Sequence, residues 1–439
     1  VELTPEFVMS LGRAAAAVFR SSSGSERPAV LTVRDTRASG DLLESALAAG
    51  LLSAGSDVFT CGVLPTPAAA FLVADVGAVA GAVISASHNP AEDNGIKFFG
   101  PDGFKLTDAQ EEQIEKLLDE PPEVLWGGEV GRIAGLPDAE DRYVEHALRA
   151  LEGRRLDGMR VVVDCAHGAA FRTSPRALEE AGAEVIVLNA EPNGANINVR
   201  CGSTSPRAAA EAVLAHGADA GLAHDGDADR VIAVDERGQV VDGDAMIAAL
   251  ALELKEQGRL CGDLVVSTVM ANLGLRLALV EAGIRLIESP VGDRFVIEAM
   301  RAHGAVLGGE QSGHLIFADL GTTGDGLVTG LRLLGRMAST GRRLSELVGI
   351  VERFPQVLIN VAVGERDRLG EAERVWQAVE EAGIRLGEGG RVLVRPSGTE
   401  PLVRVMVEAS DEITANSVAE EIASVVEKEL GREAGRAAH

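Results

Sequence analysis

The sequence predicts an α/β fold, three similar mixed α/β domains plus a C-terminal α+β domain around a central cleft. Three observations carry this. Short apolar strands alternate with helical segments along most of the chain, the pattern of βαβ units and mainly parallel sheets. The texture changes after about residue 360, where strands and helices alternate on a smaller scale. And one unit recurs three times: an apolar strand, a polar loop, a second strand, a Gly turn and then a helix. The 439 residues, at about 150 per domain, allow three or four domains. The divisions fall at 1–150, 151–251, 252–360 and 361–439.

Val30–Val33 is the first strand candidate, followed by a helix over Asp41–Ala54, a strand over Ala82–Ser85 and an amphipathic helix over Thr107–Leu118. Pro121-Pro122 and Gly127-Gly128 break the pattern, and Tyr143–Leu151 is helical again. Arg160–Asp164 opens a new strand, Pro175–Ala181 a helix and Glu184–Leu188 a strand. In the last part, Gln356–Val363, Arg391–Val394 and Val403–Glu408 read as strands, with helices over Leu369–Ala382 and Ile413–Glu429. The recurring unit runs Ala82–Ser85, loop, Ile96–Phe99, Gly103; then Ala220–Ala223, loop, Val231–Val234, Gly238; then Ala305–Leu307, loop, His314–Ala318, Gly321. Ligands in open α/β sheets sit at the carboxyl ends of strands, so three such loops can converge on one cleft. The plainer alternative is that any α/β protein shows such units.

Apolar residues are 46% and charged residues 25%, ordinary for a globular chain. The net charge of −26 repels phosphate backbones and anionic lipid, which argues against nucleic-acid and membrane-surface partners. The longest apolar run, Phe71 to Ile84, is broken by Asp75, and none reaches the ~20 residues of a membrane span. No signal peptide opens the chain. Cys61, Cys165, Cys201 and Cys261 lack C-x-x-C spacing, so neither a zinc site nor a disulfide scaffold is indicated. A reducing cytoplasm is the expected setting.

Four loops carry chemistry. In Ser85-Ala86-Ser87-His88-Asn89-Pro90, the Ser87 hydroxyl can act as a nucleophile, carry a phosphoryl group, or simply cap a turn. His88 can serve as a base or hold the loop by a hydrogen bond. In His224-Asp225-Gly226-Asp227-Ala228-Asp229-Arg230, three carboxylates at i, i+2 and i+4 repel one another and call for a hard divalent cation, magnesium over calcium, unless the segment is a solvated acidic turn. Extended, alternate carboxylates would lie about 6.6 Å apart, so the segment must curl. An EF-hand loop is excluded, because Arg230 stands where that loop needs Gly and the flanks are strands.

Gly309-Glu310-Gln311-Ser312-Gly313-His314 offers a carboxylate and a hydroxyl suited to a sugar's hydroxyls or amine. Arg395-Pro396-Ser397-Gly398-Thr399-Glu400, with Arg404 beyond, makes an anion cradle, or a polar turn between strands. Lys97, one of only five lysines among 41 basic residues, stands ten positions after Ser87. It can act as an acid or base if its neighbours lower its pKa, or be an exposed strand lysine.

These four loops, in this order, resemble the α-D-phosphohexomutase superfamily, whose members carry a phosphoserine, a metal, a sugar and a phosphate loop, one per domain. Ser-Ala-Ser-His-Asn-Pro at 85–90, Gly-Glu-Gln-Ser-Gly-His at 309–314, Pro-Gln-Val-Leu-Ile-Asn-Val at 355–361 and Arg-Pro-Ser-Gly-Thr-Glu-Pro-Leu-Val-Arg-Val-Met at 395–406 are similar to its bacterial members that act on glucosamine phosphates.

The resemblance implies that Ser87 is the phosphorylated serine and that Asp225, Asp227 and Asp229 hold Mg²⁺ together with an oxygen of that phosphoryl group. Glu310 and Ser312 would bind sugar hydroxyls, and Arg395, Ser397, Gly398, Thr399 and Arg404 the non-reacting phosphate. Lys97 and Arg230 would lie near the reacting oxygens. The Asp35/Arg37 stretch and Gly292-Asp293-Arg294 match further family segments.

The implied reaction is reversible conversion of glucosamine 6-phosphate to glucosamine 1-phosphate through a sugar 1,6-bisphosphate, supplying UDP-N-acetylglucosamine for cell-wall synthesis. Glucose or glucosamine 1,6-bisphosphate would prime the enzyme. The implied partner is a phosphosugar; monomer and homodimer both stay open. Gln311 favours the amino sugar. Phosphoglucomutase or phosphomannomutase activity, a Mg²⁺-dependent sugar phosphatase and a non-catalytic sugar-phosphate binder are the alternatives. Family members usually begin with a strand and a Thr-Asp-Gly-x-Arg-Gly loop. This sequence begins at Val1, ahead of the helix opened by Leu3-Thr4-Pro5-Glu6, so a first sheet short of that strand is expected.

Overall fold

A computed structural model describes residues 3–119, 122–364, 366–397 and 400–431. Their strands assemble into four sheets. The first contains β1 (Ala29–Arg34), β2 (Asp57–Val63), β3 (Ala80–Ile84), β4 (Ile96–Phe99) and β5 (Ile133–Gly135) in the order β4-β3-β1-β2-β5. The second contains β6 (Arg160–Asp164), β7 (Glu184–Leu188), β8 (Ala220–His224), β9 (Val231–Asp235) and β10 (Val240–Val241) in the order β10-β9-β8-β6-β7. The third runs β12-β11-β13-β14, with β11 (Leu264–Thr268), β12 (Arg285–Ser289), β13 (Leu307–Gly309) and β14 (Leu315–Phe317). The fourth, β15 (Gln356–Ala362), β16 (Gly390–Pro396) and β17 (Leu402–Ala409), is antiparallel in the order β15-β17-β16.

The first three sheets share one construction. Their central strands are parallel, as the βαβ texture predicts, and apolar on both faces: Val161, Val162 and Val163 of β6 are all fully buried. Each then adds one antiparallel neighbour, β4 on β3, β9 on β8 and β14 on β13. The polar loop inside each pair is therefore a hairpin-like tip, and the three tips are the first three loops singled out above. A helix follows each pair: Asp108–Asp119, Gly243–Glu256 and Gly326–Thr340. The last two start at aspartate caps. Asp242 accepts from Ala245 N–H at 3.2 Å and Asp325 from Val328 N–H at 2.9 Å.

β6 and β7 have the bounds the sequence predicts. The helix expected over 143–151 is instead Ala139–Leu148 followed by a 3₁₀ turn, Arg149–Leu151. The helix expected to start at Leu369 starts at Glu373, because Arg366–Glu371 winds as a 3₁₀ turn.

The described residues group into two compact units, one within 1–270 and 282–350 and the other within 271–281 and 351–431. In the second unit, helices Glu373–Leu386 and Glu412–Leu430 cover the fourth sheet over a core that includes Val375, Val405, Val407, Ala419 and Ile422. Helix Leu273–Glu281 is tied to the same sheet. Glu408, fully buried on β17, accepts from Asn272 Nδ2 and Leu273 N–H, both at 3.1 Å. Among the described residues no helix is long and apolar enough to cross a membrane.

Candidate active site

Ser87 sits in the tip between β3 and β4 with φ +51°, the left-handed region that a residue with a side chain rarely adopts. Local bonds hold it there. Its N–H donates to Ser85 Oγ at 2.9 Å, and Ser85 Oγ–H donates to Asp35 Oδ2 at 2.6 Å. Asp35 is buried and also receives Arg37 Nε–H at 2.8 Å. The Asp35/Arg37 stretch is thus the floor of the Ser87 loop.

The aspartate loop curls as its charge pattern requires. Asp225, Asp227 and Asp229 are all buried, and one oxygen from each lies within 4.8 Å of the others. Ser87 Oγ–H donates to Asp225 Oδ2 at 2.8 Å, so the first two predicted loops meet. Asp227 Oδ2 accepts from Lys97 Nζ at 2.9 Å and from Thr66 Oγ1 at 2.7 Å. Asp227 Oδ1 and Asp229 Oδ1 are buried with no hydrogen-bond partner. Buried carboxylate oxygens without donors are costly unless a cation takes them. All donors here are hard oxygens. The cluster therefore fits a divalent ion of the magnesium or calcium type.

Charge and burial set the protonation states. Burial raises the Asp225 carboxyl well above its ordinary value, and the charges of Asp229 and Asp227 add to that. Burial also acts to raise Asp229, but His314, Lys97 and Arg230 outweigh it and hold that carboxyl well below the usual range. For Lys97 the sequence reading of an acid–base lysine required a lowered pKa. Against the effect of burial, Asp227 and Asp229 hold the ammonium above its ordinary value, and a cation on those two carboxylates would weaken that hold.

His88 Nδ1 lies 3.3 Å from Ser87 Oγ, but Arg230 donates to the same nitrogen at 3.1 Å. Its lone pair is taken, and the Ser87 proton points to Asp225 instead. Burial, followed by the charge of Arg230, lowers the His88 pKa and keeps the ring neutral. This geometry favours the loop-holding reading of His88 over the base.

The sugar-type loop is stapled to the metal loop. Val231 N–H donates to Gly313 O at 3.1 Å, and Gly326 N–H to Ala228 O at 3.0 Å. Glu310 Oε1 accepts from Gly292 N–H at 3.1 Å, and Arg230 feels the Glu310 charge. Ser312 is exposed. Gln311 turns its amide towards Asp242, at 3.4 Å, rather than leaving it free. His314 accepts from Gly324 N–H on Nε2 at 3.0 Å, which leaves the proton on Nδ1, 3.6 Å from Asp229 Oδ2. Asp293 pairs with Lys105, and Arg294 with Asp108 and Glu298.

In the second unit, Arg395 of β16 stands directly opposite Arg404 of β17. Burial, and then the Arg404 charge, lowers the Arg395 pKa. Two like charges facing across a ladder are destabilising without an anion beside them, and the Glu400 carboxylate, 3.5 Å from Arg404, offsets part of this. Ser397 N–H donates to Leu402 O at 2.9 Å, closing the turn. Gly398 and Thr399 lie outside the described residues.

Thr66, His314 and, through the Ser87 and Asn89 carbonyls that its side chain bonds, Asn198 also lie at the site. His314 closes the sugar-type motif, whose pattern gives the ring no role of its own. Thr66 opens a helix after Pro65 and Asn198 lies in a long loop, and neither position carries a sequence signal for the site.

The chain matches all four domains of the phosphoglucomutase/phosphomannomutase family: alpha/beta/alpha domain I over residues 1–124, domain II over 141–238, domain III over 242–354 and the C-terminal domain over 358–425. It is 54% identical over 431 residues to a phosphoglucosamine mutase from Arthrobacter sp. (strain FB24), covering 98% of this chain and 95% of that one. It is 53% identical to a phosphoglucosamine mutase from Mycobacterium marinum, covering 97% of this chain and 96% of that one.

Among solved structures, a phosphoglucomutase/phosphomannomutase family protein from Burkholderia thailandensis superposes with a TM-score of 0.82 at 26% identity, covering 97% of this chain and 94% of that one. The Aspergillus fumigatus N-acetylphosphoglucosamine mutase, solved with GlcNAc-6P and magnesium, shares the fold. Its TM-score is 0.66 at 20% identity, over 83% of this chain and 92% of that one. The four domain matches and the extent of identity place this chain in the phosphoglucomutase/phosphomannomutase family and, within it, among the phosphoglucosamine mutases.

Proposed function

We infer that the chain is an isomerase that interconverts glucosamine 6-phosphate and glucosamine 1-phosphate by phosphoryl transfer to and from Ser87. The observation that carries this is the Ser87 hydroxyl, 2.8 Å from a buried three-aspartate cluster, in a chain so close to phosphoglucosamine mutases.

Phospho-Ser87 gives its phosphoryl group to the free sugar hydroxyl. The Ser87 Oγ–P bond breaks, the sugar O–P bond forms, the sugar hydroxyl gives up its proton to a base, and the departing Ser87 Oγ takes one up, so no net proton is released. The resulting glucosamine 1,6-bisphosphate turns over, and Ser87 takes back the other phosphate. Lys97 and Arg230 supply fixed positive charge beside the transferring group. Asp225, Asp227 and Asp229, with a phosphoryl oxygen on Ser87, would hold Mg²⁺, which when bound offsets the negative charge of that group. Glu310 and Ser312 take sugar hydroxyls. Arg395, Ser397, Gly398, Thr399 and Arg404 take the phosphate that is not reacting. Glucose or glucosamine 1,6-bisphosphate supplies the first phosphoryl group.

A Ser87→Ala variant tests the reading. It should lose turnover by roughly a thousandfold or more and take up no phosphoryl group from glucose 1,6-bisphosphate, as read by intact mass. Retained mutase turnover in that variant would remove Ser87 from the mechanism.

A further inference from the structure

The Ser87 turn is unfavourable for an L-residue and must be held from outside. Two carbonyls define it, those of Ser87 and Asn89, and each can accept two hydrogen bonds. Arg37 NH2 donates to Ser87 O at 3.1 Å and to Asn89 O at 2.9 Å. Asn198 Nδ2 donates to the same pair, at 2.9 Å and 3.1 Å. Each nitrogen carries two hydrogens, so four hydrogens meet four lone pairs. The donors come from different sheets: Arg37 follows β1, and Asn198 lies in the loop after β7.

Both donors are themselves fixed. Arg37 is fully buried, paired with Asp35, and also donates to the carbonyls of Asp93, at 2.9 Å, and Pro90. Asn198 has φ +62° and its N–H donates to Ala166 O at 2.9 Å. The aspartate loop closes the third side. A Cβ on Gly226 would lie 2.5 Å from Ser87 O and 2.8 Å from Asn198 Nδ2.

We propose that Asn198 is a positioning residue of the phosphoryl-transfer site: with Arg37 it double-bridges the Ser87 and Asn89 carbonyls and so keeps the Ser87 hydroxyl aimed at the aspartate cluster. This rests on the mutase reading. Asn198 touches neither the hydroxyl nor the aspartates through its side chain; it acts through the backbone of the nucleophile. The bridge also joins the second sheet's loop to the first sheet's tip, so the nucleophile and the metal ligands keep one register while a bisphosphate turns between two poses.

The test separates the donors from the backbone. Asn is one of the few residues suited to positive φ, and glycine suits it as well. Asn198→Gly therefore keeps the turn and removes the donors, whereas Asn198→Ala also strains the turn. With glucosamine 6-phosphate, Mg²⁺ and glucose 1,6-bisphosphate, both variants should lower kcat roughly ten- to a hundredfold with KM nearly unchanged, because misplacement of a reacting group acts on the chemical step. Wild-type kcat in Asn198→Gly would overturn the proposal and leave Asn198 a backbone residue only. A raised KM with unchanged kcat would overturn it too.

Asn198→Asp keeps the size and turn preference but points an acceptor at the two carbonyls. It should show the same kcat loss, which covers the case in which truncation unfolds the chain. Amide exchange over residues 86–93 reads the bridge without catalysis. It should be faster in Asn198→Gly than in the wild type, and equal exchange would overturn the proposal whatever the turnover. A wild-type chain with no turnover would overturn the mutase reading and leave the exchange comparison to decide the bridge.

Discussion

At this site burial makes each ionisable group answer to its neighbours, and the reading of single residues changes accordingly. Lys97 is the clearest case: beside Ser87 in sequence it looks like a tunable base, and in the fold its pKa answers to Asp227 and Asp229, which raise it, and so to any cation those carboxylates hold. His224 shows the same rule with a measurable consequence. It is fully buried between Ser174 Oγ, at 2.9 Å, and Arg230 O, at 3.4 Å. Burial pushes its imidazole down to about 4, with the Arg230 carbonyl opposing. The folded pKa lies below the unfolded value near 6.5, so the unfolded chain binds the extra proton between those two values. The stability His224 contributes is present above about pH 6.5 and is lost as pH falls towards 4, by up to ~3 kcal/mol. Thermal melts from pH 7 to 4.5 should therefore fall less steeply in His224→Gln than in the wild type. Parallel curves would show that this ring is not held neutral. Ser87 and the three aspartates were legible as residues because their chemistry is local: a hydroxyl in a turn, and charges crowded at i, i+2 and i+4. Thr66 and Asn198 were not, since each reaches the site only through tertiary packing, and a lone Thr or Asn has no pattern.

The tips are positioned by elements that repeat: a parallel core strand, an antiparallel partner and a following helix. The alternation of apolar runs makes these units legible in the sequence. Boundaries were less visible where side chains gave no signal. β13 runs over Leu307–Gly309, two residues later than expected, because Gly308 and Gly309 pair with β11 while carrying no apolar side chain. The helix after β10 bears on the sugar-type loop at one point. Gly243 N–H donates to Gln311 O at 2.9 Å, and a Cβ there would come 2.0 Å from Glu310 O. Gly243→Ala must push that loop away. It should cost about 1–3 kcal/mol of stability and raise KM for glucosamine 6-phosphate several-fold, with less effect on phosphorylation of Ser87 by the bisphosphate. Unchanged KM and melting temperature would mean that Glu310 does not depend on this contact.

For the molecule as a whole, a net charge of −26 coexists with local basic groups, Lys97 and Arg230 in one unit and Arg395 facing Arg404 in the other. A chain this acidic that still gathers cations at two places is built for a small anionic ligand rather than a polyanion surface. The order of the four loops along the chain carried the family assignment, and no single loop would have done so. Gln311 donates one amide hydrogen to Asp242 at 3.4 Å, so its amide oxygen is the atom that could accept from a sugar amine.

A phosphorus NMR time course tests the central claim most directly. The protein receives Mg²⁺, a trace of glucose 1,6-bisphosphate, and glucosamine 6-phosphate, glucose 6-phosphate or mannose 6-phosphate in parallel, with a chelated control. The 1-phosphate should appear fastest from glucosamine 6-phosphate, without free phosphate and only with the metal. Release of inorganic phosphate, or silence on all three sugars, would contradict it.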